Sequence, residues 1–237
     1  MSFQKTVNIT PAPAIEGDFA SANPRASACA GPGELVADAA GVTVGRFAWS
    51  DTNGLVLNSG SGVPTGFVHR DMQALITTWL GEASMLIPQG QPVTLMAQGD
   101  FWARSGNAAV GKQKVFANLA DGTVLCDTAG ATVGATAFTA SIAASVGGAL
   151  SVMSVSAVSS GTLVVGQEVS GASVAPGTTL VALLSGVATG VGTWSVSVDQ
   201  VVASEAMTTA GYVETKWSVP AGFSCGAGEL VKITSWN

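Results

Sequence analysis

Apolar and polar residues alternate along much of this chain with a period of two, the repeat of a strand with one buried face. In GVTVGRFAWSDTNGLVLNSG, Phe47 and Trp49 fall on one face and Arg46, Ala48 and Ser50 on the other. Asn53-Gly54 then supplies a strong signal for a tight hairpin. Asp121-Gly122, between VFANLA and TVLCD, predicts a second hairpin. Toward the C-terminus, GYVETKWSV sets Val213, Thr215, Trp217 and Val219 against Tyr212, Glu214, Lys216 and Ser218, and ELVKITSW reads as a closing strand. The segment 71–85 departs from this pattern. Met72, Leu75, Ile76, Trp79, Leu80 and Ala83 have helical spacing, while Ile76-Thr77-Thr78 is β-branched and favours a strand, so helix and strand both stand, with a core role in either case.

Residues 140–210 read as a unit with turns of their own, APGTTL and ATGVGTW. Leu150 and Val152, then Val155 and Ala157, change phase around Met153, which predicts a bulged strand. Trp194, Val196 and Val198 alternate with Ser195, Ser197 and Asp199. At the other end, Pro11, Pro13, Pro24 and Pro32 punctuate the first 33 residues. Proline fixes its own φ and biases the residue before it toward extended backbone, so 1–33 reads as an extended N-terminal arm, either reaching a neighbour or lying on its own domain. The expected fold class is mainly β: a compact barrel- or sandwich-like main domain of residues 34–139 and 211–237, an inserted small all-β module at 140–210, and the arm.

Composition narrows the function. The chain has 237 residues, enough for a core without staples, yet only 10% of them are charged and 47% are hydrophobic. Disorder is excluded by that balance. A net charge of −6, with nine scattered Lys and Arg, argues against nucleic acid and against anionic lipid. Between Lys114 and Lys216 there is no cation at all. Ser and Gly interrupt the low-charge stretch from Ile142 to Val165 too often for a membrane span. MSFQKTVNITPAPAIEGDF lacks the basic and apolar regions of a secretory signal, which implies synthesis in the cytoplasm. Cys29, Cys126 and Cys225 are odd in number and far apart, and read as small buried thiols.

No catalytic, metal or cofactor set is legible. The single histidine, His69, stands beside Arg70 and Asp71, but no Gly-x-Ser-x-Gly elbow accompanies it, and a structural or interface hydrogen bond is the expected role. Dispersed Cys and one His leave no metal shell, and GATVGAT and SGSGVPTG lack the Lys-Ser/Thr ending of a phosphate loop. The expectation is a protein that is not an enzyme and holds no cofactor.

Several separated blocks, NITPAPAIEGDFASANPR, GVTVGRFAW, GFVHRDMQALITTWLGEASMLIPQGQPVTLMAQGDFWAR, YVETKW and GELVKITSW, resemble in order the capsid cement, or decoration, proteins of tailed bacteriophages. The likeness covers 1–138 and 211–237. Separately, GTLVVGQEVSGASVAPGTTLVAL with GTWSVSVDQVVAS is similar to a β-rich module found as an insertion in phage virion proteins. The resemblance implies a structural virion protein on the outer surface of the head, partnered by the major capsid protein and by itself, a trimer rather than a dimer.

Candidate contact residues are, in the arm, Phe3, Ile9, Pro11, Pro13, Ile15, Phe19, Pro24 and Arg25, then Phe67, His69 and Arg70, then Phe101, Trp102 and Arg104. Aromatics and Arg are favoured interface anchors, with core packing as the competing role for each aromatic. A rival function is a virion surface adhesin binding host-cell glycan or another part of the host surface through the insert, with Trp194 and the Ser195, Ser197, Asp199 face as its platform.

Overall fold

A computed structural model describes residues 14–28, 33–71, 85–145 and 150–236, and every regular element among them is a β-strand. The first part of the chain contributes β1 (Ala26–Ser27), β2 (Val36–Ala37), β3 (Val42–Thr43), β4 (Phe47–Ser50), β5 (Leu55–Leu57) and β6 (Gly66–Val68). Then come β7 (Leu86–Ile87), β8 (Leu95–Gln98), β9 (Asp100–Arg104), β10 (Ala109–Val110), β11 (Lys114–Asn118) and β12 (Val124–Asp127). Six longer elements follow: β13 (Thr136–Ala143), β14 (Ser151–Ser160), β15 (Val169–Gly171), β16 (Leu180–Gly186), β17 (Gly192–Val196) and β18 (Val202–Thr209). The chain ends with β19 (Tyr212–Ser218), β20 (Ser224–Cys225) and β21 (Leu230–Thr234). The helix-or-strand question at 71–85 falls almost wholly outside the described residues.

Two sheets form the body. One has the order β1-β8-β6-β4-β5-β2 and the other β12-β11-β19-β21-β9, with β3-β7 and β10-β20 as short ribbons. The alternation read from the sequence explains their packing. Phe47, Trp49, Phe67 and Met96 of the first sheet meet Phe101, Ala103, Val115, Trp217, Val231 and Ile233 of the second in one core. The centre of that core is aromatic. Trp217 lies 5.6 Å from Phe101 and 6.3 Å from Phe47 and from Phe67, ring centre to ring centre. The opposite face of the first sheet is buried too, since Ala48, Val56, Val68 and Leu95 pack with Val42, Val44, Ile87 and Val93 in a second core. This double burial is why FAW, GFV and LM run apolar without a break.

Both expected hairpins are present. β4 and β5 pair antiparallel across Asn53-Gly54, and β11 and β12 across Asp121-Gly122. Gly122 has φ of 70°, and a Cβ there would fall on the Phe47 carbonyl oxygen, whose own N–H donates to the Gly122 oxygen at 2.9 Å. Only glycine fits a turn pressed that closely onto a neighbouring strand. Cys126 is buried in the core, and burial pushes its thiol up to about 11; Cys225 is half-buried and also free. Cys29 lies outside the described residues.

The third sheet, β15-β18-β13-β14-β17-β16, draws every strand from 136–209 and has its own core, built from Phe138, Ile142, Met153, Leu180, Trp194 and Met207 among others. Its two outer strands meet. Glu168 bridges Thr179, Val169 N–H donates to Thr178 O at 2.7 Å, and Leu180 N–H donates to Gln167 O at 2.9 Å, which closes the sheet into a small barrel. The expected boundary at 139/140 cuts through β13; the sheet itself begins at Thr136. The phase change in β14 is present but lies later than the pattern placed it. Ser151, Met153 and Val155 are buried while Leu150 is exposed, and the extra residues are Ser156 and Ser159. At the base of the barrel, Gly134 and Gly211 lie against each other. A Cβ on Gly211 would stand 2.6 Å from the Gly134 oxygen, and one on Gly134 would stand 2.6 Å from the Tyr212 ring.

Candidate functional site

The expected contact residues converge where residues 14–28 lie along β8 and β9. These two strands are separated only by Gly99 and form one bent strand that passes from the first sheet to the second. The N-terminal segment covers the edge of that bent strand along its length. Ala28 N–H donates to Leu95 O at 2.8 Å, β1 pairs with β8, Ala20 N–H donates to Asp100 O at 2.9 Å, Phe19 bridges Phe101, and Gly17 and Asp18 exchange hydrogen bonds with Trp102. Of the two expectations for the arm, residues 14–28 therefore follow the one in which it lies on its own domain. Phe3, Ile9, Pro11 and Pro13 lie outside the described residues.

Side chains fasten the segment. Phe19 sits 4.0 Å from the His69 ring and 5.2 Å from the Phe101 ring, and the Arg25 guanidinium lies 3.8 Å from the Phe19 ring centre. An arginine over an aromatic face is held by the ring quadrupole. His69 Nδ1–H donates to Gly17 O at 2.8 Å, which fixes the ring and gives it a structural task. Arg70 pairs with Asp18 at 3.3 Å, and Arg104 pairs with Glu16 while donating to Gly228 O at 2.6 Å. Trp236 Nε1–H donates to Pro24 O at 3.2 Å.

Phe67 and Phe101 correct the expectation made for them. Both are fully buried in the body's aromatic core, so neither presents surface to a neighbour. Trp102, one position along, is half-buried and stands edge-on to Phe223 at 5.8 Å, as the alternation of β9 requires. Ile15 is half exposed. Trp194, offered as a sugar platform, is 2% exposed and belongs to the barrel core.

Asp100 is a residue of this site that the reading of the sequence did not single out. Its carboxylate is buried, and Oδ2 accepts from Ser21 Oγ at 2.6 Å and Asn23 Nδ2 at 2.7 Å, with Lys232 Nζ at 4.0 Å. Oδ1 is buried without a hydrogen-bond partner in the structure. Burial alone would raise the pKa of this group, but the donated hydrogen bonds and the lysine outweigh it and hold the carboxyl below its ordinary range. The only available hint was an acid, GDFWAR, at the head of an apolar strand.

The sign of the pH effect follows. A carboxyl whose folded pKa is depressed contributes stability that is complete above its unfolded value of about 3.9 and is lost as pH falls through the lowered folded value. We expect the Ala20 and Trp102 amides, which bond across this junction, to lose hydrogen-exchange protection selectively as the pH drops below about 4. In Asp100→Asn that pH dependence should be absent; equal pH dependence in the variant would refute the assignment.

A shallow recess lined by Glu16, Arg46, Arg104, Ser105 and Gly228 borders the segment, and both arginines in it already face a carboxylate, Asp121 and Glu16. Among the described residues no group of three His, Cys, Asp or Glu is placed to hold a metal ion, and no helix is long and apolar enough to cross a membrane. What the site offers chemically is contact: aromatic rings, guanidinium groups and a strand edge covered by residues 14–28.

No curated protein matches the chain. A family model described as XM1 gp53 minor capsid protein matches residues 3–153, nearly two thirds of the sequence, which takes in the N-terminal segment, the strands it lies on and the start of the barrel. By that match the chain belongs to the XM1 gp53 minor capsid protein family, a family of phage structural proteins.

Proposed function

We propose that this minor capsid protein binds the outside of the assembled phage head and cements neighbouring major capsid proteins, with the barrel of residues 136–209 carried as an inserted module. The family match carries this reading. The geometry supports it, because the described contact candidates other than the buried Phe67 and Phe101 are gathered around residues 14–28, which backbone pairing, ring contacts and ion pairs hold on the surface of the body. A cement requires no pocket. It gains from many weak, identical contacts, since copies on a lattice act at high effective concentration.

The glycan form of the adhesin alternative loses its platform. Phe138 and Trp194 are the only aromatic residues between 136 and 209, and both are in the barrel core, so the module has no exposed ring on which a sugar could stack. Imaging of heads assembled with and without the protein tests the proposal. The expected result is regular density at external symmetry-related sites, together with earlier rupture of heads that lack it. Density confined to the tail or the head interior would overturn it.

A further inference from the structure

One strand of the barrel carries a run of exposed aliphatic side chains. β16 pairs with β17 on one side, and beyond Leu180 no strand among the described residues pairs with its other side. Along this strand and its hairpin, Val181, Leu183, Leu184, Val187 and Val191 are all exposed, the last three by more than half. Two bulges, in which Val181 and Leu184 are the extra residues, roughen the edge. The other usual guards of an edge strand, a lysine, a proline or an inward charge, are missing from LVALLSG. Exposed aliphatic residues gathered on one hairpin mark a contact surface.

The charge pattern selects the occupant. No Asp, Glu, Lys or Arg occurs from Val169 to Val198. A partner that presented charges here would have them desolvated without a counter-ion, at substantial cost. A surface equally free of charge and equally aliphatic is the same hairpin on a second molecule, and a patch that matches itself forms a closed, isologous contact. We propose that the β16–β17 hairpin is a self-association surface, through which two copies of this chain meet strip to strip by side-chain packing.

The area sets the strength. The five side chains offer a few hundred Å² per copy, against about 800 Å² per partner in a standard interface. The contact is therefore weak in dilute solution and effective where copies are held close together. It is independent of whether the protein cements capsomers.

Sedimentation of the full chain should show a monomer at about 10 μM and a growing dimer fraction toward about 1 mM, the range in which contacts below standard size associate, in place of the trimer that the resemblance implies. Leu184→Asp, which sets like charges face to face, should weaken the dimer at least about tenfold, and Val191→Asp should do the same from the other strand. Both positions are exposed, so the fold tolerates the change, as circular dichroism would verify. A monomer throughout the range, or dimerisation indifferent to both variants, would overturn the proposal. Isolated copies of Leu184→Asp should still attach to assembled heads. Loss of that attachment would show that the capsid protein covers the strip, which also overturns the proposal while leaving the external position of the protein intact.

Discussion

Trp217→Ala should cost about 3–5 kcal/mol, the range for emptying a large aromatic site in a packed core. Trp217 is 2% exposed and is ringed by Phe47, Phe67 and Phe101, which come from β4 and β6 of one sheet and β9 of the other. Removing the indole opens a void where the two sheets meet, and rings held from several strands have little freedom to collapse into it. Against a usual total of about 5–15 kcal/mol, this is enough to unfold much of the population near physiological temperature. Chemical denaturation monitored by circular dichroism measures the effect. A loss under about 1 kcal/mol would mean that the sheets do not share this core.

Phe19→Ala should release the N-terminal segment while leaving the body folded. The ring is the segment's one aromatic anchor among the described residues, meeting His69, Phe101 and Arg25 together. Its loss removes the apolar contact, the cation–π contact and the cover over the Phe101 edge, about 2–3 kcal/mol in sum for a partly buried phenyl. Exchange of the Gly17 and Ala20 amides should then quicken by about 30- to 150-fold, with the global unfolding midpoint changed far less. If capsid attachment runs through the docked segment, retention of the variant on heads should fall in parallel. Unchanged protection at Gly17 and Ala20 would show that the backbone bonds to Trp102 and Asp100 hold the segment without the ring.

Local chemistry decided which parts of this structure the sequence could reveal. The hairpins at Asn53-Gly54 and Asp121-Gly122 were legible because a turn is specified by adjacent residues. The strand Tyr212–Ser218 was legible because period-two alternation survives where one face is wet. Burial of both faces of β4, β6 and β8 was not, since an unbroken apolar run does not say what lies on its second side. Closure of the barrel through Glu168 and Thr179 depends on the ends of a six-stranded sheet finding each other. At the site, Phe19, Arg25, His69, Arg70 and Arg104 were named for their residue type as contacts to a neighbour, and in the structure they hold residues 14–28 on their own domain. Phe67 and Phe101 have the same residue type but point inward, and the phase of a strand relative to the core is set by pairing register. Asp100 was missed because its partners Ser21, Asn23 and Lys232 lie 77 to 132 positions away in the sequence.

The two glycines at the base of the barrel have an architectural consequence. Because the chain leaves the body at Gly134 and re-enters it at Gly211 through backbones in direct contact, a splice at this point need not alter the spacing of any body strand. A foreign domain whose own termini lie side by side could replace the barrel, turning the position into a display socket on whatever surface the body occupies.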